Sequence, residues 1–188
     1  MNKRRCVFCR EYFDMAGMIK PNNGWFCSIA HMASHGLIKS RKNKAKADKK
    51  AHSKKKRELK DNDKSFQTKK TQEIFNRWVR VRDNSDPCIS CLRFHDGQYH
   101  AGHYRTVGAN PELRFDKRNC HKQCAPCNNH LSGNIVNYRV NLINKISSKS
   151  VRELEGPHKP KRYTVANLKT IQKWYKRKTN RLLRELEQ

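Results

Sequence analysis

Eight cysteines, six of them in CxxC steps, constrain this chain more than any other feature. Cys6 and Cys9 form one step, Cys88 and Cys91 a second, and Cys124 and Cys127 a third. Two thiols at that spacing share one tight turn, and two such pairs brought together close a tetrahedral zinc site. Cys6, Cys9, Cys27 and His31, in the order CxxC, seventeen residues, CxxxH, predict one structural zinc site. His35 offers a second imidazole, but the tighter CxxxH step favours His31. Cys88, Cys91, Cys124 and Cys127 predict a second structural zinc site. Four thiolates leave no open coordination position, so this ion would do no hydrolysis itself. Cys120 could replace Cys124, but the CxxC step favours Cys124 and Cys127, which leaves Cys120 as a small buried residue or a free thiol. Disulfides are the rival use of so many cysteines, but a reducing compartment keeps thiols free. The chain reads as cytoplasmic. Its start, MNKRRCVFCREYF, has basic residues with no apolar stretch behind them, and no apolar run is long enough to cross a bilayer.

Metal would also supply folding energy that the composition lacks. Only 35% of the 188 residues are hydrophobic, and structural zinc couples its binding energy to folding. The 43 Lys and Arg against 16 Asp and Glu give a formal net charge of +27. Such an excess opposes compaction, and a polyanionic partner is its simplest explanation. Nucleic acid fits best, because counterion release drives its association with lysine and arginine. An anionic membrane fits less well, since the basic stretches carry no amphipathic apolar face.

Four segments follow from the pattern. Residues 1–38 hold the first ligand set, as an N-terminal zinc finger. Residues 39–70 are a lysine-rich linker without glycine or proline, either disordered or a solvated helix. Residues 71–150 hold the second ligand set. They begin with an amphipathic helix at 71–83, in which Ile74, Phe75 and Trp78 recur at helical spacing; DNSDP at 83–87 reads as a turn. Ile135, Tyr138, Leu142 and Ile146 predict another helix. Residues 151–188 are a basic helical segment, with a break at EGPHKP and a long helix capped by Thr164. Its cationic face, with Lys169, Lys173 and Lys178 among others, meets either phosphate or water.

Between and beside the second ligand set stand His100, His103, Asn119, His121, Asn128 and His130. A histidine at the end of a strand, an asparagine before a CxxC and an asparagine straight after it resemble the zinc-braced HNH endonucleases. More closely, CISC at 88–91 followed by AGHYRTVGANPELRFDKRNCHKQCAPCNNHLSGN at 101–134 resembles the phage NinG (Rap) recombination family, and CAPCN resembles the CxxCN segment of the endonuclease VII resolvases. The close match covers about residues 88–140.

The resemblance implies a small α+β fold: a ββα-metal (HNH-like) core braced by the four-cysteine zinc site, with the N-terminal finger of three cysteines and a histidine, a helical basic linker and C-terminal helices. It implies structure-specific cleavage of Holliday junctions and other branched DNA by metal-dependent hydrolysis, in phage recombination within the host cytoplasm. It places His103 as the base that activates water, a task suited to a near-neutral imidazole. It places Asn119 as the residue that buttresses the base, and Asn128 as a ligand of a catalytic Mg²⁺ or Mn²⁺ ion. Many HNH enzymes carry an acid directly before the base; here Gly102 stands there. His100 is the first substitute ligand, given a bend at Ala101–Gly102; Asp96 and Asp116 are the nearest acids that could serve instead, and His130 ligates the metal, contacts phosphate or sits in a polar network. Gly102 itself would allow close backbone approach to DNA. Arg105, Arg114, Lys117, Arg118 and Lys122 are the expected phosphate contacts. Two opposed cuts at a junction call for a homodimer, and phage or host recombination proteins are further expected partners. The alternative is a non-catalytic double-zinc DNA-binding protein on a degenerate HNH scaffold.

Overall fold

A computed structural model describes residues 2–22 and 24–187. The chain forms two compact units that divide between residues 59 and 60.

The first unit opens with a short antiparallel hairpin, β1 (Lys3–Arg5) with β2 (Tyr12–Asp14), in which Lys3 faces Asp14 and Arg5 faces Tyr12. Little apolar material supports it: among the described residues Cys6 and Phe26 are its fully buried hydrophobic residues. A long helix, α1 (Ile29–Asn62), follows, begun by the Ser28 hydroxyl accepting the His31 N–H. It has no buried residue. Lysine, alanine, arginine and glutamate are strong helix formers, and the pair Lys54–Glu58 lies at i,i+4 spacing. The basic stretch is therefore a solvated helix.

In the second unit α2 (Lys64–Arg82) starts where the Asp63 carboxylate accepts the Phe66 N–H, seven residues before the expected start at 71. The turn of this cap buries Gln67 and Thr71, polar residues that an apolar-periodicity reading passes over. Next comes an antiparallel hairpin, β3 (Tyr99–His103) with β4 (Cys120–Cys124), in which His100 pairs Gln123, Gly102 pairs His121 and His103 pairs Cys120. Three helices complete the unit: α3 (Ile135–Ile146), α4 (Ser148–Glu155) and α5 (Val165–Leu186). Thr164 and Asn167 form a reciprocal capping box at the start of α5. The expected divisions at 38/39, 70/71 and 150/151 fall inside α1, α2 and α4.

The hairpin lies between two apolar clusters. Opposed residues of an antiparallel pair share a face, and the face alternates along each strand. His103, Cys120 and Ala101 lie on the side of α2 and α5, where Phe75, Trp78, Val79, Leu168 and Tyr175 are buried. Gly102, His121 and Gln123 lie on the side of α3, where Tyr138 and Leu142 pack with Ile89, Tyr104, Leu113, Val151 and Leu154. The Tyr138 hydroxyl donates to the Gly102 carbonyl across 2.9 Å, which ties α3 to β3. No helix among the described residues is long and apolar enough to cross a membrane.

Candidate hydrolytic and nucleic-acid site

Two groups of metal-ligating side chains are gathered among the described residues: Cys6, Cys9, Cys27 and His31, and Cys88, Cys91, Cys124 and Cys127. Within each group the ligand atoms lie no more than 4.8 Å apart. A tetrahedral zinc with bonds of about 2.3 Å separates its sulfurs by about 3.8 Å. The Cys9–Cys27 and Cys91–Cys124 sulfurs are both 3.9 Å apart, so both groups fit zinc. In the first, Cys27 and His31 stand one helical turn apart, which brings the His31 Nδ1 within 2.9 Å of the Cys27 sulfur. His35 is not a member; its ring lies 5.4 Å from that of Phe26. In the second, Leu92 at φ 54° turns the chain back after the first CxxC, and the Leu92 N–H donates to the Cys88 carbonyl. Outer contacts orient the thiols: the Cys124 N–H points at the Cys88 sulfur and the Asn134 amide at the Cys127 sulfur.

The second group anchors the end of β4, and thereby the hairpin that carries His103. The His103 Nε2 lies 3.0 Å from the Arg114 carbonyl oxygen. A carbonyl only accepts, so Nε2 carries the proton and Nδ1 presents a lone pair. Burial, with a smaller contribution from the Arg114 charge, lowers the His103 pKa and outweighs the carbonyl, which raises it. The ring is therefore neutral at pH 7. The Cys120 sulfur lies 3.8 Å from Nδ1, too long for a firm hydrogen bond.

Asn119 is fully buried, but it makes no hydrogen bond to His103. Its Oδ1 accepts the Arg105 N–H at 2.7 Å, and its Nδ2 donates to the carbonyls of Arg105 and Leu113. The amide thus braces the loop between His103 and Arg114, and acts on His103 only through the carbonyl that loop presents.

Gly102 has a steric explanation in place of the expected approach to DNA. A Cβ there would overlap the Gln123 Oε1. The Gln123 Nε2 donates to the Ser90 hydroxyl and the Gly133 carbonyl, which fixes the amide with its oxygen toward Gly102. The space an acid would need is already filled. His100 does not replace that acid beside His103: the β3–β4 register runs unbroken through residues 101 and 102, so the bend is absent and the two imidazoles face opposite sides. Asn128 sits on the single π-type turn Pro126–His130, where its Nδ2 donates to Asn129. His130 is exposed on the same turn. Apart from the two zinc-type groups, no set of three or more His, Cys, Asp or Glu donors is gathered among the described residues. Mg²⁺ is held mainly by carboxylates and phosphates, so the side chains at His103 do not fit a resident divalent ion.

The expected phosphate contacts divide. Lys117 is exposed, and Arg105 and Arg114 are half-buried. Arg118 is paired with Asp116 and Glu153. Lys122 is buried, its ammonium donating to the Asn84 carbonyl at 2.8 Å over the Tyr99 ring, so it supports the hairpin and not DNA.

Sequence reasoning missed Asp83, read only as part of a turn. Its carboxylate is 2% exposed. Arg82 meets both of its oxygens, the Lys122 N–H donates to it, and Lys145 lies 3.5 Å away. These partners outweigh burial and hold its pKa far below the ordinary carboxylate range. His121 completes the network, with Nε2 against the Arg118 carbonyl and Nδ1 accepting from Arg82. Burial lowers the His121 pKa, and the ring is neutral. The partners come from α2, β4 and α3, and no local pattern joins them.

The profile of the family described as "Bacteriophage Lambda NinG protein" matches residues 1–185. The chain is similar to proteins named "Protein ninG". With that of Enterobacteria phage H19B it shares 41% identity, over 98% of this chain and 94% of the relative. With that of Salmonella phage P22 it shares 41%, over 94% and 92%. With that of Escherichia phage lambda it shares 40%, over 94% and 91%. No solved structure matches.

Proposed function

From the premise that the chain belongs to the phage NinG family, we propose that it is a structure-specific DNA endonuclease with an HNH-like core, cleaving Holliday junctions and other branched recombination intermediates. The observation that carries the reading is His103. Its proton sits on the nitrogen that faces the Arg114 carbonyl, its other nitrogen is an acceptor, and its lowered pKa keeps it unprotonated at neutral pH. Such an imidazole takes a proton from water as the water oxygen attacks phosphorus. Asn119 is a positioning residue, holding the loop that supplies the carbonyl. Arg105 and Arg114 place positive charge beside it, and Lys117 contacts a neighbouring phosphate; such contacts position DNA without reading bases. Branch shape then supplies selectivity. A homodimer would give the two opposed cuts a junction requires. Two zinc ions brace the units and take no part in the chemistry. The thinness of the donor set at His103 favours the second reading, a double-zinc DNA-binding protein without hydrolysis.

A labelled four-way junction separates the two readings. The purified full chain is incubated with the junction and with linear duplex, supplied with Mg²⁺ or Mn²⁺. Paired nicks near the branch point, absent from the duplex, support the endonuclease. Tight junction binding with no cleavage under any of these conditions overturns it in favour of the binding protein.

A further inference from the structure

A second cleft lies in the same unit, with none of His103, Asn119 and Asn128 in its lining. The end of α2, the loop before β4, the end of α3 and the middle of α5 enclose a cleft of about 430 Å³. Five cationic side chains line it, Arg82, Lys117, Arg118, Lys145 and Lys178, against one acid, Asp83. Asp83 is already engaged by Arg82 and Lys145, and the other lining imidazole, His121, is neutral. Arg118 and Lys145 have acidic partners outside the cleft, Asp116 and Asp86. Lys117 and Lys178 have none among the described residues, so the field at the mouth is positive and uncompensated.

Two tryptophans make the walls. Trp78 is buried, and its indole N–H has no acceptor within the protein. Trp174 is 38% exposed although it lies beside the core. Its plane stands at 88° to that of Tyr175, and the flexible Lys178 side chain holds its ammonium over the ring, 4.8 Å from the centre, where a stacking base would displace it. The same ring borders two neighbouring clefts, one of them formed with Arg177, Lys178 and Arg181. The other neighbouring cleft carries Glu112 and Asp116 with Lys161, so the half-open indole borders two cationic clefts and a mixed one. Indole and cations are the two elements that single-stranded nucleic acid requires, a stacking surface and a track for phosphates. A base inside a duplex, stacked on both sides, offers no free face to such a ring.

We propose that this cleft binds an unpaired DNA nucleotide, with its base stacked on Trp174 and its phosphate held by Lys117 and Lys178. This rests on the reading of the chain as a branched-DNA enzyme and deepens it, because base pairs at a branch point lose stacking partners and open more readily than pairs inside plain duplex. It gives the protein a means of distinguishing a branch from plain duplex without reading sequence.

The test uses the full chain and fluorescently labelled oligonucleotides: a dT 20-mer, a blunt duplex and an rU 20-mer. Trp174→Leu keeps an apolar packing surface and removes the stacking ring. It is expected to weaken dT binding about 10-fold and to leave duplex binding nearly unchanged. The Lys117→Ala/Lys178→Ala double variant removes two surface charges. Its expected effect is weaker dT binding and a salt dependence shallower by about 0.7 per lysine removed. Native-like affinity for dT in both variants overturns the proposal, as does failure of the native chain to bind dT. Equal weakening of dT and duplex binding by Trp174→Leu overturns the unpaired-nucleotide assignment, and stronger binding of rU than dT overturns the DNA assignment. The two readings fail separately. Loss of dT binding in the variants, with no cleavage by the native chain, refutes the nuclease alone; junction cleavage with unaltered dT binding in the variants refutes the cleft alone.

Discussion

The two zinc-type sites use similar ligands in very different surroundings. The first is set in a unit whose fully buried hydrophobic residues, among those described, are Cys6 and Phe26, joined by a hairpin of three-residue strands. The second is set beside two aromatic and aliphatic clusters drawn from α2 to α5. A metal in the first unit must supply most of the folding energy, since almost no apolar surface is available to do so. In the second it fixes the ends of an otherwise packed structure, in particular the end of β4 and the turn after it. The same chemistry builds a fold in one place and aligns a site in the other.

The largest expected effect tests that difference directly. Cys27→Ser should release one zinc and unfold residues 2–28, with loss of their amide protection in hydrogen exchange. Cys124→Ser should also release one zinc, but exposure should be confined to about residues 88–134, with α2 and α5 still protected. Equal, global unfolding in both variants would erase the distinction.

Next in size is Asp83→Asn, which leaves Arg82 and Lys145 without their buried counter-charge. Breaking such a pair costs about 3–5 kcal/mol. Urea unfolding of the second unit should show a loss in that range, while the first unit's zinc content stays the same.

Gly102→Ala is expected to cost about 1–3 kcal/mol, because the new methyl group collides with the Gln123 amide. Adding Gln123→Ala should recover part of that loss, a coupling that a double-mutant cycle measures. No coupling would mean that Gln123 does not dictate glycine at 102.

The smallest effect is in pH. His103 and His121 both have pKa values lowered by burial, below about 6.5 in the unfolded chain. The unfolded state therefore takes up protons first as the medium is acidified. Stability from these rings is complete above about pH 6.5 and declines as pH falls toward the lowered values. Asp83 and Glu155 are depressed carboxylates, the latter to about 2, mainly by the Arg139 hydrogen bond. Their contribution is lost further down, below about pH 4. His121→Gln should flatten the upper part of the thermal-melting profile against pH; an unchanged profile would show that His121 is not held neutral.

The ligand groups were legible because CxxC and CxxxH are local: spacing alone places two donors on one turn. Most of α2 and α5 was legible for the same reason, with Thr164 capping α5 and Phe75 and Trp78 facing the core, whereas the pattern of α1 fits both disorder and a solvated helix because it has no apolar face to read. What could not be read were features that depend on strands meeting. The opposition of His100 and His103 follows from an unbroken register, and the need for glycine at 102 follows from a glutamine on the facing strand. Asp83 took its partners from elements up to 62 residues away. Lys122 looked like a surface cation because its sequence neighbours are polar, yet its ammonium is folded inward onto Asn84.

The central claim is that the packed unit performs hydrolysis at His103 and the metal-built unit does not. The most direct measurement is cleavage of a labelled four-way junction by His103→Ala and Cys27→Ser proteins beside the native chain, with junction binding measured in parallel. The account predicts that His103→Ala binds the junction like the native chain but cleaves at least about 100-fold more slowly, as loss of a general base should produce. Cys27→Ser should still cut once bound. Native-rate cleavage by His103→Ala would contradict the account.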